Sequence, residues 1–181
     1  EKLIAEESAN TDVLTGLLNR RAYYETSSNE LHRTIRYKTD LSLIILDIND
    51  FKNFNDNYGH DVGDKALKYF ADILMKVKRE YDYTFRLGGD EFIILLPETD
   101  QVEATHLAER IKDEVKKHGL EIDNNVLKMS TSYGVSQLQD GDTSIREVEK
   151  RADLALYDAK NAQKSALEKN LYNAQTKDKK S

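Results

Sequence analysis

The residues best suited to chemistry are Asp90 and Glu91, two adjacent acids that directly follow Gly88 and Gly89. Two apolar runs flank the glycines within residues 84–97, and this pattern predicts a β-hairpin with the acids at its tip. A hairpin turn does not need two neighbouring carboxylates, because like charges repel. Glycines at a tip let a large anionic ligand approach the backbone. The combination therefore indicates a metal-assisted site for a phosphate-bearing ligand.

Asp47 is a third candidate, because it lies near the end of the apolar run 41–48. Taken alone, it is either a cap or turn former or a metal ligand. If strand 41–48 lies beside the hairpin, three carboxylates converge at one end of the sheet. Two carboxylates about 4 Å apart repel by about 4 kcal/mol at an effective dielectric near 20, so the fold needs a cation or a raised pKa there. Oxygen ligands alone select Mg²⁺ or Mn²⁺, and a pair of such ions would clamp a triphosphate and activate a hydroxyl for in-line displacement.

Hydrophobic periodicity predicts the elements that must position these acids. The run 41–48 is apolar on both faces, as in a central buried strand, and the hairpin strands span 83–87 and 91–97. Apolar spacing predicts four helices and one further strand: Asn19–Arg36, Ala66–Lys78, Gln101–His118 and Ser144–Lys164 as helices, and Val126–Gln137 as the strand. From the first strand onward the order is βαββαβα. It predicts an α+β fold with a mostly antiparallel central sheet covered by helices.

Composition limits the classes of function. The 181 residues carry a net charge of −6 and no cysteine. The absence of cysteine excludes disulfides and thiolate metal sites and favours a reducing cytoplasm. The acidic balance argues against a nucleic-acid polymer as partner, whereas a small anion held through a divalent cation is compatible with it. No apolar run is long enough to cross a bilayer, so any membrane anchor would lie outside this sequence.

The chain is predicted to be one domain with two tails. The domain occupies residues 11–164. Residues 1–10 have helical character and are interpreted as the stub of an upstream signalling helix. Residues 165–181 end in Lys-Asp-Lys-Lys-Ser, and we expect this tail to fray.

The pentapeptide Gly88–Phe92 resembles the signature of the GGDEF domain, the catalytic module of diguanylate cyclases. Three further segments resemble motifs of that family in the same order: an opening motif at 12–21, a nucleotide-binding segment at 47–64 and a closing helix at 151–160. The resemblance implies a sheet similar to those of nucleotidyl cyclases and polymerase palms. It also implies that the domain condenses two GTP molecules into cyclic di-GMP with release of two pyrophosphates.

The resemblance implies roles for the residues around the hairpin. Two Mg²⁺ or Mn²⁺ ions per active site would be held by four groups: Asp47, the backbone carbonyl of Ile48, Asp90 and Glu91. Glu91 would alternatively help to remove the 3′-hydroxyl proton, and the identity of the general base stays open. Gly88 and Gly89 would lie against the phosphates, near a loop that carries Phe51 and Lys52.

Guanine recognition is implied for Asp64 and Asn55. Guanine presents N1–H and the N2 amino group as adjacent donors, and one carboxylate can accept from both. By analogy with groove readout, a good bidentate pair discriminates by about 1–3 kcal/mol. The alternatives are structural: Asn55 as a turn residue, and Asp64 as the N-cap of a helix that begins near Lys65.

Lys160 and Lys164 are spaced i, i+4, so they share one helix face, and the resemblance implies that they flank the β- and γ-phosphates. After Lys160 the chain departs from the family pattern, because 161–165 reads Asn-Ala-Gln-Lys-Ser and lacks the usual glycine and final asparagine. Without this glycine, the sequence does not establish whether the helix is followed by the family's usual turn and strand. It also does not establish whether phosphate is bound as strongly as in the family.

An Arg-x-x-Asp motif, Arg79 to Asp82, precedes Gly88 by the spacing of the family's inhibitory site. An arginine can donate to guanine O6 and N7 while an aspartate accepts from the opposite edge. Arg110 matches a secondary arginine of this site. The alternative is a charge pair at a helix end. The resemblance implies feedback inhibition by cyclic di-GMP.

The resemblance also implies a homodimer, at least transient. Each phosphodiester bond joins two GTP molecules, so each 3′-hydroxyl must meet the α-phosphate bound to the other domain. An upstream sensory domain would dictate that pairing. The alternative function is an inactive domain that acts as a receptor for cyclic di-GMP or GTP. The presence of both glycines and all the signature acids favours the enzyme, and Asp64 disfavours an adenine-containing product.

Overall fold

Four antiparallel strands form the sheet that carries the predicted site. The computed structural model describes residues 9–178, and the side chains of residues 9–171. Its helices are α1 (Arg20–Tyr37), α2 (Phe51–Tyr58), α3 (His60–Val77), α4 (Gln101–His118) and α5 (Ile145–Asp178). Its strands are β1 (Leu41–Ile48), β2 (Tyr83–Gly88), β3 (Glu91–Pro97), β4 (Leu120–Ile122), β5 (Asn125–Leu127) and β6 (Thr131–Gln137). The predicted α+β class is confirmed.

Strand β1 lies inside the main sheet, whose order is β2-β3-β1-β6. It pairs antiparallel with β3 on one side and with β6 on the other. The prediction of a central buried strand at 41–48 is therefore confirmed, and so is the hairpin of β2 and β3. Strands β4 and β5 form a separate two-stranded sheet.

Alternation along β1 divides the core into two layers. Ile44 and Leu46 face α3 and α4, where Phe70 and Ile111 are also fully buried. The odd-numbered apolar residues of β1 face α1 and α5 on the opposite side. Since both faces are covered, β1 reads as a continuous apolar run rather than as an alternating one. The same alternation directs the side chain of Asp47 toward the α5 side.

Helix α5 packs unusually close to the edge strand β6 at Gly134. A Cβ atom placed on Gly134 would lie 1.9 Å from the carbonyl oxygen of Ala152 and 2.5 Å from the amide nitrogen of Leu156. Both neighbours are backbone atoms, so a side chain there would force strand and helix apart. This contact fixes the position of α5, the helix that carries Lys160.

Three predicted element boundaries are wrong. The helix predicted at Ala66–Lys78 begins at His60, and α2 precedes it in the mostly polar stretch 51–65, for which no helix was predicted. The strand predicted at Val126–Gln137 is two strands, β5 and β6, in different sheets. Helix α5 ends at Asp178 rather than at Lys164.

Helix α5 continues beyond Lys164 because residues 161–165 lack the glycine that is usual in the family. A glycine in the left-handed conformation commonly ends a helix, and none lies between residues 142 and 178. The predicted upstream helix at 1–10 lies outside the described residues except for Ala9 and Asn10. Among the described residues, no helix is long and apolar enough to span a membrane.

Candidate active site

The pairing of β1 with β3 places Asp47 directly opposite Glu91. Opposite residues in an antiparallel pair project from the same face, with Cα atoms roughly 4.5–5.5 Å apart. Asp90 immediately precedes Glu91 in the turn of the hairpin. The strand register therefore brings three acids from two distant segments to the same end of the sheet.

Asp47 is a largely buried carboxylate with two unlike oxygens. Its side chain is 16% exposed, and Oδ2 accepts a hydrogen bond from Nζ of Lys160. Oδ1 is buried and accepts no hydrogen bond from any described residue. Burial raises the pKa of Asp47, Lys160 opposes that rise, and the charge of Asp90 adds to it. An unsatisfied buried acceptor costs about 1–3 kcal/mol, so a cation at Oδ1 would stabilise the site.

Glu91 lies in acidic surroundings. Burial raises the pKa of Glu91; Arg20 lowers it, and the charges of Asp153, Glu149 and Asp90 raise it again. The oxygen-only donors Asp47 and Glu91 fit Mg²⁺ or Mn²⁺. Within residues 9–171, however, no three acidic or histidine side chains are close enough together to form a ready cation site.

The glycine tip is braced by residues for which sequence analysis gave no role. Nη1 of Arg86 donates to both carboxylate oxygens of Asp12, at 3.1 and 3.0 Å, and Nε donates to the carbonyl of Gly89 at 3.0 Å. Gly88 and Gly89 have φ angles of 143° and 51°, which L side chains rarely adopt. A Cβ on either glycine would meet nothing within 4 Å, so the space in front of the tip is open. The charge of Arg86 beside the glycines was the signal available in the sequence.

The opening motif holds the other side of this tip. Burial pushes the pKa of Asp12 up, but hydrogen bonds from Thr15 and Arg86 outweigh it, so the pKa lies below the usual aspartate value. Nε of Arg20 donates to the carbonyl of Leu87 at 3.2 Å. The segment 12–20 therefore fixes the hairpin from outside the sheet.

The loop after β1 leads into an uncapped helix. Asp50 adopts a left-handed φ of 53°, and no side chain caps the N-terminus of α2. The first amide groups of α2, from Phe51 and Lys52 onward, have no partners inside the helix, and such a terminus favours anions. Lys52 itself is exposed.

A cavity of about 520 Å³ lies between this loop and helix α5. Its lining residues are Asn49, Asp50, Ser130, Lys160, Gln163, Lys164 and Leu167. Both predicted phosphate lysines therefore face the same space. The cavity also contacts the residue that follows Ile48, whose carbonyl is a predicted metal ligand.

A polar network that sequence analysis missed ties the end of β1 to α5. Nδ2 of Asn49 donates to Oγ of Ser130 at 2.9 Å, and Oδ1 of Asn49 accepts from Ser132 at 2.7 Å. Oε1 of Gln163 accepts from Ser132 at 3.3 Å and from Asn49 at 3.5 Å. Thr131 adds a bond to the carbonyl of Asp47 at 2.6 Å. These residues fix the backbone around Asp47 while the side chain of Lys160 stays at the cavity wall.

Asn55 and Asp64 both lie inside helices, so neither structural alternative applies. Asn55 is in α2 rather than in a turn, and Asp64 is in the second turn of α3 rather than at its N-cap. Asn55 packs against the residue before Asp64: a Cβ on Gly63 would lie 1.7 Å from Oδ1 of Asn55. That oxygen is buried and has no hydrogen-bond partner among the described residues. Asp64 is exposed.

Arg79 and Asp82 lie together in the turn between α3 and β2. Oδ2 of the buried Asp82 accepts from the backbone amide of Arg79 at 2.8 Å, and burial raises the pKa of Asp82. The guanidinium of Arg79 is half-exposed and lies 3.7 Å from Glu103 of α4. Both motif residues line a cavity of about 360 Å³, which Arg110 does not line. Arg110 is exposed on α4, two turns after Glu103.

Comparison with known proteins places the chain in a family. The family model described as the GGDEF domain of diguanylate cyclases matches residues 9–166. The diguanylate cyclase DgcP of Pseudomonas aeruginosa is 40% identical over 90% of this chain and 24% of its own length. A diguanylate cyclase of Vibrio cholerae is 40% identical over 84% of this chain and 47% of its own length. The chain thus spans less than half the length of these two relatives.

A solved structure carries the same fold. The GGDEF domain of DgcB from Caulobacter crescentus, in complex with c-di-GMP, superposes with a TM-score of 0.82 at 32% identity, over 85% of this chain and 91% of that one. On the extent of these matches, this chain belongs to the GGDEF diguanylate cyclase family.

Proposed function

We propose that this domain condenses two molecules of GTP into cyclic di-GMP and releases two pyrophosphates. The observation that carries the proposal is the register of β1 against β3, which sets Asp47 opposite Glu91 with Asp90 in the adjoining turn. A buried acid with an unsatisfied oxygen, next to two further acids and an open glycine tip, suits a nucleotide held through metal ions. Membership in the GGDEF family supports this reaction class.

Phosphate binding is assigned to groups from three elements. Lys160 and Lys164 supply positive charge from α5, and Lys52 supplies it from the α2 side. The free amide groups at the start of α2, including that of Phe51, donate to phosphate oxygens. Gly88 and Gly89 leave room for the phosphates at the hairpin tip.

The acids are assigned two roles, metal binding and acceptance of a proton. The metal ions would be held by Asp47, the carbonyl of Ile48, Asp90 and Glu91. Two Mg²⁺ or Mn²⁺ ions, when bound, would polarise the α-phosphate and lower the pKa of the attacking 3′-hydroxyl. Glu91, whose pKa is raised by burial and by neighbouring acids, suits the acceptance of the 3′-hydroxyl proton.

Base selection is assigned to Asp64 and Asn55. The exposed carboxylate of Asp64 accepts from N1–H and N2 of guanine, and the amide of Asn55 supplies a further bond. Adenine offers no equivalent pair of donors, so GTP is preferred to ATP. Gly63 lets both side chains approach the same base, since any Cβ there would displace Asn55.

The reaction needs two domains, so the active form is a homodimer in which each half contributes one bound GTP. Product inhibition is assigned to Arg79 and Asp82, with Arg110 as a secondary contact. The cavity beside Arg79 and Asp82 and the c-di-GMP complex of the DgcB domain support this assignment. An upstream sensory segment would control the pairing in the cytoplasm.

The test is product identification by mass spectrometry after incubation with GTP and Mg²⁺ at high protein concentration. Wild type and Asp72→Ala, a variant at an exposed α3 position, should yield cyclic di-GMP, and Asp90→Ala should yield none. The same experiment separates an enzyme from a receptor. Product from Asp90→Ala at the wild-type rate, or none from wild type at any concentration, would contradict the proposal.

A further inference from the structure

Lys160 is a residue with two incompatible tasks. Its ammonium group is bonded to Oδ2 of Asp47, the carboxylate that the proposed function assigns to a metal ion. The same lysine lines the cavity where the phosphates are expected. While the ammonium group holds Oδ2 of Asp47, that oxygen is not free for a divalent cation.

The contact with Lys160 satisfies only one of the two carboxylate oxygens of Asp47. Oδ1 of Asp47 is buried without a partner among the described residues, and only Oδ2 faces the lysine. An aspartate whose permanent partner is a lysine would usually have both oxygens satisfied. The unmatched oxygen indicates that Lys160 stands in for a divalent cation, which carries twice the charge and can bind more than one oxygen ligand.

The exchange can take place without movement of the backbone. Helix α5 is fixed against β6 by the close contact at Gly134, and Gln163 ties it to Asn49 and Ser132. The side chain of Lys160 is 45% exposed, so its flexible stem is free to turn toward the cavity. Lys164 lies on the same helix face, one turn further along.

We propose that Lys160 is an internal counter-ion that competes with the divalent cation for Asp47 and moves to a phosphate when the nucleotide arrives. The cation alone then binds weakly, because it must displace the ammonium group with nothing to receive it. A cation that arrives with a triphosphate binds well, because the ammonium group of Lys160 can then pair with a phosphate instead of with Asp47. This inference rests on the proposed function for the identity of the nucleotide, but the competition itself involves only the protein and the metal.

The test is Mn²⁺ binding to nucleotide-free protein, measured by electron paramagnetic resonance. Lys160→Met keeps the aliphatic stem and removes the charge, so its Mn²⁺ affinity should rise by about tenfold or more. Lys150→Met changes the net charge equally on the same helix, roughly 15 Å away, and should bind Mn²⁺ like wild type. Lys160→Arg keeps the competing cation and should not gain affinity.

Removal of the Lys160 charge should have the opposite effect on nucleotide affinity. With Mn²⁺ present, Lys160→Met should bind a non-hydrolysable GTP analogue more weakly than wild type does. Equal Mn²⁺ affinity for wild type and Lys160→Met, with Lys160→Met shown to be folded by circular dichroism, would overturn the inference. Failure of wild type to make cyclic di-GMP would overturn the proposed function instead and leave the Mn²⁺ comparison standing.

Discussion

At the scale of single residues, the site depends on side chains that hold other side chains. Arg86 joins Asp12 to the hairpin tip, Asn49 and Gln163 hold the end of β1, and Gly63 admits Asn55. The glycines were visible in the sequence because they mark a hairpin tip, and the acids because neighbouring carboxylates are unusual there. It could not reveal which ordinary polar residues would meet them, because those contacts join segments that are far apart in the chain.

Gly63→Ala should weaken GTP binding without weakening the fold. Its Cβ would displace the amide of Asn55, which is the end of a flexible side chain, while alanine inside a helix is favoured over glycine by about 1 kcal/mol. We expect KM for GTP to rise by roughly tenfold or less, in line with the loss of one base contact. Steady-state kinetics on Gly63→Ala, Asn55→Ala and the double variant measure this. If the double variant is much worse than Asn55→Ala, Gly63 does not act through Asn55.

The effect of Asp12→Asn on stability should depend on pH, because the substitution removes the ion pair between Asp12 and Arg86 at the hairpin tip. The pKa of Asp12 lies below the value of 3.8 expected in the unfolded chain, so the stabilisation is fully present above that pH and is lost as pH falls through the folded-state pKa. At pH 7 we expect a loss of about 1–3 kcal/mol in the free energy of unfolding. Urea denaturation at pH 7 and pH 3 should show that loss shrinking on acidification. Asp140→Asn, at an exposed aspartate, serves as the control, and an equal loss at both pH values would refute the ionic brace.

At the scale of elements, strong apolar patterns were predicted well and weak ones were not. Strand β1 and the hairpin follow directly from their apolar runs, and their pairing brings Asp47 to Glu91. The start of α3 was missed because residues 60–65 are mostly polar. The β4–β5 hairpin was also missed. Its turn residues, Asp123 and Asn124, are of types that favour tight hairpin turns, and in the structure they adopt positive φ angles of 46° and 65°.

Gly134→Ala should destabilise the fold, unlike Gly63→Ala. Its Cβ would meet backbone atoms of Ala152 and Leu156, which cannot move aside without shifting α5. We expect the free energy of unfolding to fall by about 1–3 kcal/mol or more. Thermal and urea denaturation of the two alanine variants side by side provide the measurement. Equal stability of the two variants would show that α5 is not fixed by this contact.

At the scale of the whole molecule, the proposed reaction requires two copies of the domain, and the proposed inhibition requires a site for the product. Specific activity should therefore rise with protein concentration, because each GTP must meet another bound to a second copy. A dilution series with product quantified per milligram of protein measures this. Constant specific activity across the series would count against the dimeric active form.

Product inhibition should depend on Arg79. Arg79→Ala removes the guanidinium beside the cavity and should raise the concentration of cyclic di-GMP needed for half inhibition, with turnover unchanged. Arg21→Ala removes a similarly exposed ion pair, with Glu25 at 3.5 Å, and should leave inhibition as in wild type. Unchanged inhibition in Arg79→Ala would remove this site from the account.

The gathering of Asp47, Asp90 and Glu91 around metal ions is tested most directly by crystallography. Crystals grown with Mn²⁺ and a non-hydrolysable GTP analogue should give anomalous peaks within bonding distance of Asp47 and Asp90, with the phosphates against the glycine tip and Lys160 turned toward them. A bound analogue with no anomalous peak near either aspartate would contradict the account.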